Sequence, residues 1–197
     1  MTNSAAIHVM DNLLPVELCR RVWHECQAPR WCFGHASTEA EEAPFWKLEL
    51  DGVVAVDQAW QAAQPRCEEL VGMRLAVLRQ YANGHTTGLG GQVHTDDRRE
   101  RHFTLVYYPM LRWDPKWGGE TVFHETAGDI IQAVIPKPNR GILFDARIPH
   151  VGRAPLRSFS GLRVTVAFKL GPSSAQPNSD DDLENFGMTV PRVNPGF

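Results

Sequence analysis

No stretch of this chain stays apolar for the roughly 18 residues that a bilayer-crossing helix needs. Its start lacks the basic-then-apolar order of a secretion signal, so a soluble, cytoplasmic protein is expected. Cysteine is scarce. Cys19, Cys26, Cys32 and Cys67 form no C-x-x-C pair and no regular framework, which argues against a zinc knuckle or disulfide scaffold and for reduced structural thiols. Strong charge of either sign is also missing. A formal net charge of -3 over 197 residues gives no general attraction to nucleic acid or to an anionic membrane, which favours a small-molecule or peptide partner.

With no internal repeats, and with 43% hydrophobic and 22% charged residues, the composition suits one globular domain. We place it at 1–170, followed by a polar tail or lid at 171–197 that carries Ser179-Asp180-Asp181-Asp182. Helices are expected within 12–71. Asn12 can cap the first, Pro15 fits its first turn, and Leu14, Leu18 and Val22 make its apolar stripe. A second stripe, Trp60, Ala63, Cys67 and Leu70, lies between Asp57 and Val71, and Pro65 should kink or split that helix.

From residue 73 the texture changes to short runs of valine, threonine and aromatics broken by glycine and proline, the pattern of an antiparallel β domain. Candidate strands are 73–81, 91–95, 102–109, 119–124, 129–135, 140–145 and 161–170. Asn83-Gly84, Gly118-Gly119 and Pro138-Asn139 read as turns between runs. The fold expected is mainly β with flanking helices: a jelly-roll core at 73–170 with helices packed outside one sheet.

His94-Thr95-Asp96 is the one place where a carboxylate follows a histidine by two positions. Roughly one such match is expected by chance in a chain of this composition, so its surroundings must decide. On a strand, residues two apart share a side, and His94 and Asp96 can face one ion. His150, after the apolar run Gly141-Ile142-Leu143-Phe144, can supply a third ligand from across the jelly roll. Two histidines and one carboxylate leave open positions on ferrous iron, whereas zinc usually prefers a closed tetrahedron. The alternative is that both histidines are hydrogen-bonded residues at strand ends.

That alternative must also explain Arg163. In Arg163-Val164-Thr165-Val166-Ala167-Phe168 the valines and Phe168 take one face, and Arg163, Thr165 and Ala167 the other. A guanidinium inside a barrel needs a planar carboxylate partner.

These pieces, in this order, resemble the iron(II)- and 2-oxoglutarate-dependent oxygenases, specifically the prolyl-hydroxylase-like branch, over about Met73 to Leu170. The matching segments are Gln80-Tyr81-Ala82-Asn83-Gly84, His94-x-Asp96, Thr104-Leu105-Val106-Tyr107-Tyr108, Trp117-Gly118-Gly119-Glu120-Thr121, Pro149-His150 and Arg163-x-Thr165. The resemblance implies a double-stranded β-helix, Fe(II) held by His94, Asp96 and His150, and 2-oxoglutarate anchored by Arg163. It also implies Tyr108 and Tyr81 as further contacts to the co-substrate, with core tyrosines as the other reading. The interval from Tyr81 to His94 is longer than the family's usual one.

The implied reaction consumes O2 and 2-oxoglutarate, releases succinate and CO2, and hydroxylates an unactivated C–H bond. Desaturation and cyclisation use the same ligands. Halogenation is disfavoured, since related halogenases replace the carboxylate ligand with a small residue and this chain keeps Asp96. Arg147, Arg99 and Trp117 are candidate substrate contacts, by their proximity in sequence to the ligands and to the loop 112–117. His85, His102 and His124 are read as spare histidines. A small molecule, an amino-acid derivative or specialised metabolite, is the expected substrate, with a peptide or protein as the alternative. Two further classes stay open: a cupin-like metal enzyme without 2-oxoglutarate, and a non-catalytic ligand-binding jelly roll.

Overall fold

In the computed structural model, residues 6–35, 44–126 and 128–173 are described. Ten strands and two α-helices are assigned among them: β1 (Ile7–Met10), α1 (Val16–Glu25), β2 (Cys32–His35), β3 (Phe45–Glu49), α2 (Val54–Val71), β4 (Leu75–His85), β5 (Phe103–Tyr108), β6 (Thr121–His124), β7 (Ile130–Val134), β8 (Arg140–Asp145), β9 (His150–Gly152) and β10 (Arg163–Pro172). They form a seven-stranded sheet, ordered β1-β8-β5-β10-β4-β3-β2, and a three-stranded sheet, β7-β6-β9. The tail proposed from the sequence lies outside the described residues from 174 on, and β10 runs two residues past the expected end of the core, to Pro172.

The two faces of β10 explain the layering. Val164, Val166 and Phe168 are buried on the side where Phe168 meets Trp60 of α2, with ring centroids 6.1 Å apart. Arg163, Thr165 and Ala167 face the small sheet, as the alternation predicts. Across that interior Phe123 of β6 packs edge-on against Phe144 of β8 at 4.9 Å, and the Tyr108 hydroxyl shares a 2.7 Å hydrogen bond with Thr121. This is the expected double-stranded β-helix with helices against one sheet.

Several local expectations are corrected. The region 12–71 is not helical throughout, because β2 and β3 lie between the helices and extend the large sheet beside β4, while β1 pairs with β8. Thus the sheet draws strands from outside 73–170. Asn12 does not cap α1: it stands at φ 54, Pro15 occupies the cap position, and no side chain caps the helix. Helix α2 runs through Pro65 without splitting. Ala59, Trp60, Ala63 and Cys67 are buried before and after Pro65, so packing holds both halves although the ring removes one backbone bond.

Asn83-Gly84 is not a turn. Both residues are inside β4 and pair with β10 on one side and β3 on the other. Two-sided ladder pairing outweighs the local turn preference of the dipeptide. The segment 91–95 is not a regular strand either, and His94 makes only an isolated bridge, to His150. By contrast Gly118-Gly119 and Pro138-Asn139 do mark chain reversals, with positive φ at Gly118, Gly119 and Asn139.

Candidate active site

Short as it is, the bridge between His94 and His150 sets the site. The amide of each donates to the carbonyl of the other, at 3.0 Å and 2.8 Å, and the rings lie 4.6 Å apart. Two residues on, the amides of Asp96 and Asp97 both donate to the Ala146 carbonyl, at 2.9 Å and 3.2 Å, turning the Asp96 carboxylate inward. One ligand atom from each of His94, Asp96 and His150 falls within 4.8 Å of the others. Among the described residues this is the group of histidine, cysteine and acidic side chains that could hold an ion.

The imidazoles are oriented for metal binding. Nδ1 of His94 donates to the Gln92 carbonyl at 2.9 Å, and Nδ1 of His150 donates to the Ile148 carbonyl at 2.9 Å. With the proton held on Nδ1, each Nε2 presents a lone pair, and these atoms face Asp96 at 3.4 Å and 3.5 Å. Burial lowers the pKa of His150 to about 4, with Asp96 opposing and His94 and Lys169 assisting, so it is neutral near pH 7. Burial alone would raise Asp96, but Lys169, His150 and His94 outweigh it and hold the carboxyl well below the usual range. Two imidazoles and one carboxylate thus converge, a donor set that fits ferrous iron.

Arg163 is buried beyond the triad and held on several sides. Its Nε donates to the Gly119 carbonyl at 2.5 Å and its Nη2 to Thr121 Oγ1 at 3.1 Å, while Nη1 lies 3.3 Å from His85 Nδ1. These contacts use three of the five N–H donors of a guanidinium, leaving two for an incoming carboxylate. The Tyr108 ring lies 5.6 Å from the guanidinium. Burial raises the Tyr108 pKa, so the hydroxyl keeps its proton and can donate. Gly119 sits at φ 76, and an added Cβ would lie 3.0 Å from Arg163 Cδ, so this turn needs glycine both for its backbone and for the arginine's approach.

The other sequence candidates are placed differently. Tyr81 is buried beside the ammonium of Lys169, which lies 5.7 Å from its ring centre, and Arg79 lies 4.6 Å away. Trp117 packs with Trp113 and Phe159 in an aromatic cluster at 5.3 Å and 4.7 Å. Arg99 forms a paired contact with Asp97, and Arg147 one with Asp145 and a longer one with Glu100. Each of these pairings would have to open for the arginine to meet a substrate.

Two residues escaped the sequence reading. His85, read as spare, meets Arg163; its place opposite Arg163 in the β4–β10 register is a long-range pairing. Lys169 lies 2.5 Å from Asp96 Oδ2. Its sequence signal is the shared strand parity of 163, 165, 167 and 169, which puts Lys169 on the face of Arg163.

Residues 78–168 match the model of the 2OG-Fe(II) oxygenase superfamily. No curated protein sequence matches the chain. Among solved structures, a prolyl hydroxylase of Trichoplax adhaerens, in complex with a hypoxia-inducible-factor peptide fragment, is similar at TM-score 0.65 and 16% identity, covering 88% of this chain and 89% of that one. AviO1 of Streptomyces viridochromogenes Tue57 is similar at TM-score 0.66 and 12% identity, covering 88% and 92%. HygX of Streptomyces hygroscopicus, with nickel, 2-oxoglutarate and hygromycin B bound, is similar at TM-score 0.64 and 11% identity, covering 87% and 85%. At such identities these likenesses concern the fold, and it is the family match over 78–168, joined to the His-Asp-His geometry, that marks this segment as a 2OG-Fe(II) oxygenase core, the core of an Fe(II)- and 2-oxoglutarate-dependent dioxygenase.

Proposed function

We propose that this dioxygenase hydroxylates an unactivated C–H bond of a small polar molecule, an amino-acid derivative or other specialised metabolite, with succinate and CO2 as co-products. The carrying observation is the convergence of His94 Nε2, Asp96 and His150 Nε2, each Nδ1 being tied to a carbonyl, with Arg163 buried behind them. His94, Asp96 and His150 would hold Fe(II). Arg163 and Tyr108 would take the far carboxylate of 2-oxoglutarate, and Tyr81 lines the same interior. When bound, the metal supplies oxidative chemistry with O2 and 2-oxoglutarate. The protein's part is to fix ligand tautomers, anchor the co-substrate and keep the site enclosed.

The small-molecule reading draws support from the wall of the site. Lys47, Arg79 and Lys169 lie 5.2 Å, 4.6 Å and 5.7 Å from the Tyr81 ring, a cationic surround suited to a compact anionic or zwitterionic compound. Trp117, with Trp113 and Phe159, offers the apolar side. HygX holds hygromycin B on the same fold, whereas the Trichoplax enzyme binds a peptide, so fold likeness leaves the substrate class to the residues of the site.

No described helix is long and apolar enough to cross a membrane. We infer a cytoplasmic setting, which suits the free state of Cys19, Cys26, Cys32 and Cys67.

The test is a substrate screen that reads stimulated succinate formation together with a product gain of one oxygen atom. Turnover of amino-acid derivatives or other small metabolites is expected, and turnover of intact proteins alone would refute the substrate class. A product that lost two hydrogens instead would reassign the reaction to desaturation or cyclisation.

A further inference from the structure

One half-buried cation in this interior is not accounted for by co-substrate anchoring. The ammonium of Lys169 lies 2.5 Å from Asp96 Oδ2, and the Thr104 hydroxyl donates to that same oxygen at 2.6 Å. The Lys169 side chain is 17% exposed and that of Asp96 only 6%. The two donors are themselves 3.5 Å apart, so they form a closed triangle on one carboxylate oxygen. Lys169 and Thr104 are directly paired across β10 and β5, so the sheet register fixes both.

A carboxylate oxygen offers about two lone-pair sites. On Asp96 Oδ2 both are engaged, by Lys169 and by Thr104; His150 Nε2 also lies 3.5 Å from this oxygen, but with its proton on Nδ1 it donates nothing there. Oδ1, 3.4 Å from His94 Nε2, keeps its own. We propose that Lys169 is a positioning residue that, together with Thr104, restrains Asp96 to offer a single oxygen to the metal. This rests on the assignment of His94, Asp96 and His150 as the iron ligands.

The consequence concerns open positions. A triad of single-atom ligands leaves three of them on iron, enough for a two-atom co-substrate and one small molecule. An Asp96 free to chelate through both oxygens would occupy one of the three. Lys169 also places a positive charge near the ion, so its removal should not weaken metal binding on electrostatic grounds. Loss of open positions and loss of metal are therefore separable.

The experiment uses full-length protein loaded anaerobically with Fe(II) and 2-oxoglutarate, and nitric oxide as the probe of the open position, followed by the S = 3/2 electron paramagnetic resonance signal. Lys169→Met should bind Fe(II) at least as tightly as wild type yet take up nitric oxide about tenfold less per bound iron, and Lys169→Arg should restore most of the uptake. Thr104→Val, a nearly isosteric change, should lower uptake about threefold with iron retained, and it provides the measurement should Lys169→Met fail to fold. Unchanged uptake in Lys169→Met or in Thr104→Val would overturn the proposal. So would a Lys169→Met variant that loses iron but takes up nitric oxide normally per iron retained, since the lysine would then serve only to build the site. Wild-type protein that binds no Fe(II) would overturn the triad assignment as well, whereas normal wild-type iron binding with wild-type-like variants overturns this inference alone.

Discussion

Nη1 of Arg163 lies 3.3 Å from Nδ1 of His85, and both side chains are buried. A guanidinium can only donate, so the imidazole accepts and carries its proton on Nε2. His85 is thereby fixed in the neutral form, which preserves the arginine's charge for an anionic partner.

The pH dependence of folding follows from this contact. Burial, then the charges of Arg163 and His94, lower the His85 pKa from 6.5 to about 3. Below 6.5 the unfolded chain takes up a proton that the folded chain refuses, so stability present above 6.5 is lost as pH falls toward 3. This should amount to about 2 kcal/mol between pH 7.5 and pH 5. Denaturant unfolding of metal-free His85→Asn at both pH values should show a smaller loss than wild type by about that amount. Equal losses would mean that His85 is protonated in the fold without penalty.

Arg163→Ala should raise the 2-oxoglutarate requirement by about 2 to 4 kcal/mol, roughly 30- to 1,000-fold, because one partner of a buried ion pair is removed. Fe(II) affinity should change little, as the guanidinium contacts none of the three candidate ligands. Titration of the metal-loaded variant with 2-oxoglutarate, read by the charge-transfer band, checks this. An unchanged requirement would reassign the anchor, with Arg153 and Arg157 as the next candidates.

For the triad, His94→Ala, Asp96→Ala and His150→Ala should each weaken Fe(II) binding and abolish turnover, because two remaining protein ligands hold ferrous iron poorly. Circular dichroism should stay close to wild type. Near-normal activity in all three variants would place the metal elsewhere.

Gly119→Ala addresses the turn that receives Arg163. With φ at 76 and an added Cβ 3.0 Å from Arg163 Cδ and 3.2 Å from Trp113, the substitution should cost about 1 to 3 kcal/mol. It should also displace the guanidinium and raise the 2-oxoglutarate requirement. Thermal melting and the same titration measure the two effects, and a variant unchanged in both would show that this turn does not position the arginine.

Strand parity made much of the interior legible in advance. Alternation alone separates Arg163 and Thr165 from Val164, Val166 and Phe168, and the layering of β10 shows which of these faces is the interior. His94 and Asp96 were expected to converge as neighbours on one strand. They do converge, but by another cause: a single bridge to His150 and two amides on Ala146 take the place of a regular ladder. Turn chemistry was a less secure guide, since Asn83-Gly84 carries a turn signature in the middle of a doubly paired strand.

By itself the sequence determined which side chains could do the chemistry and, within a strand, which of them share a face, because two-residue alternation is a property of local backbone geometry. It could not determine which strands would lie side by side, since pairing joins segments far apart in the chain and is decided by packing of the whole sheet. Only the tertiary structure set His150 against His94, His85 against Arg163, and Lys169 and Thr104 on one oxygen of Asp96. The chain carries the candidate ligands in its sequence, and the long-range register places the groups that hold them.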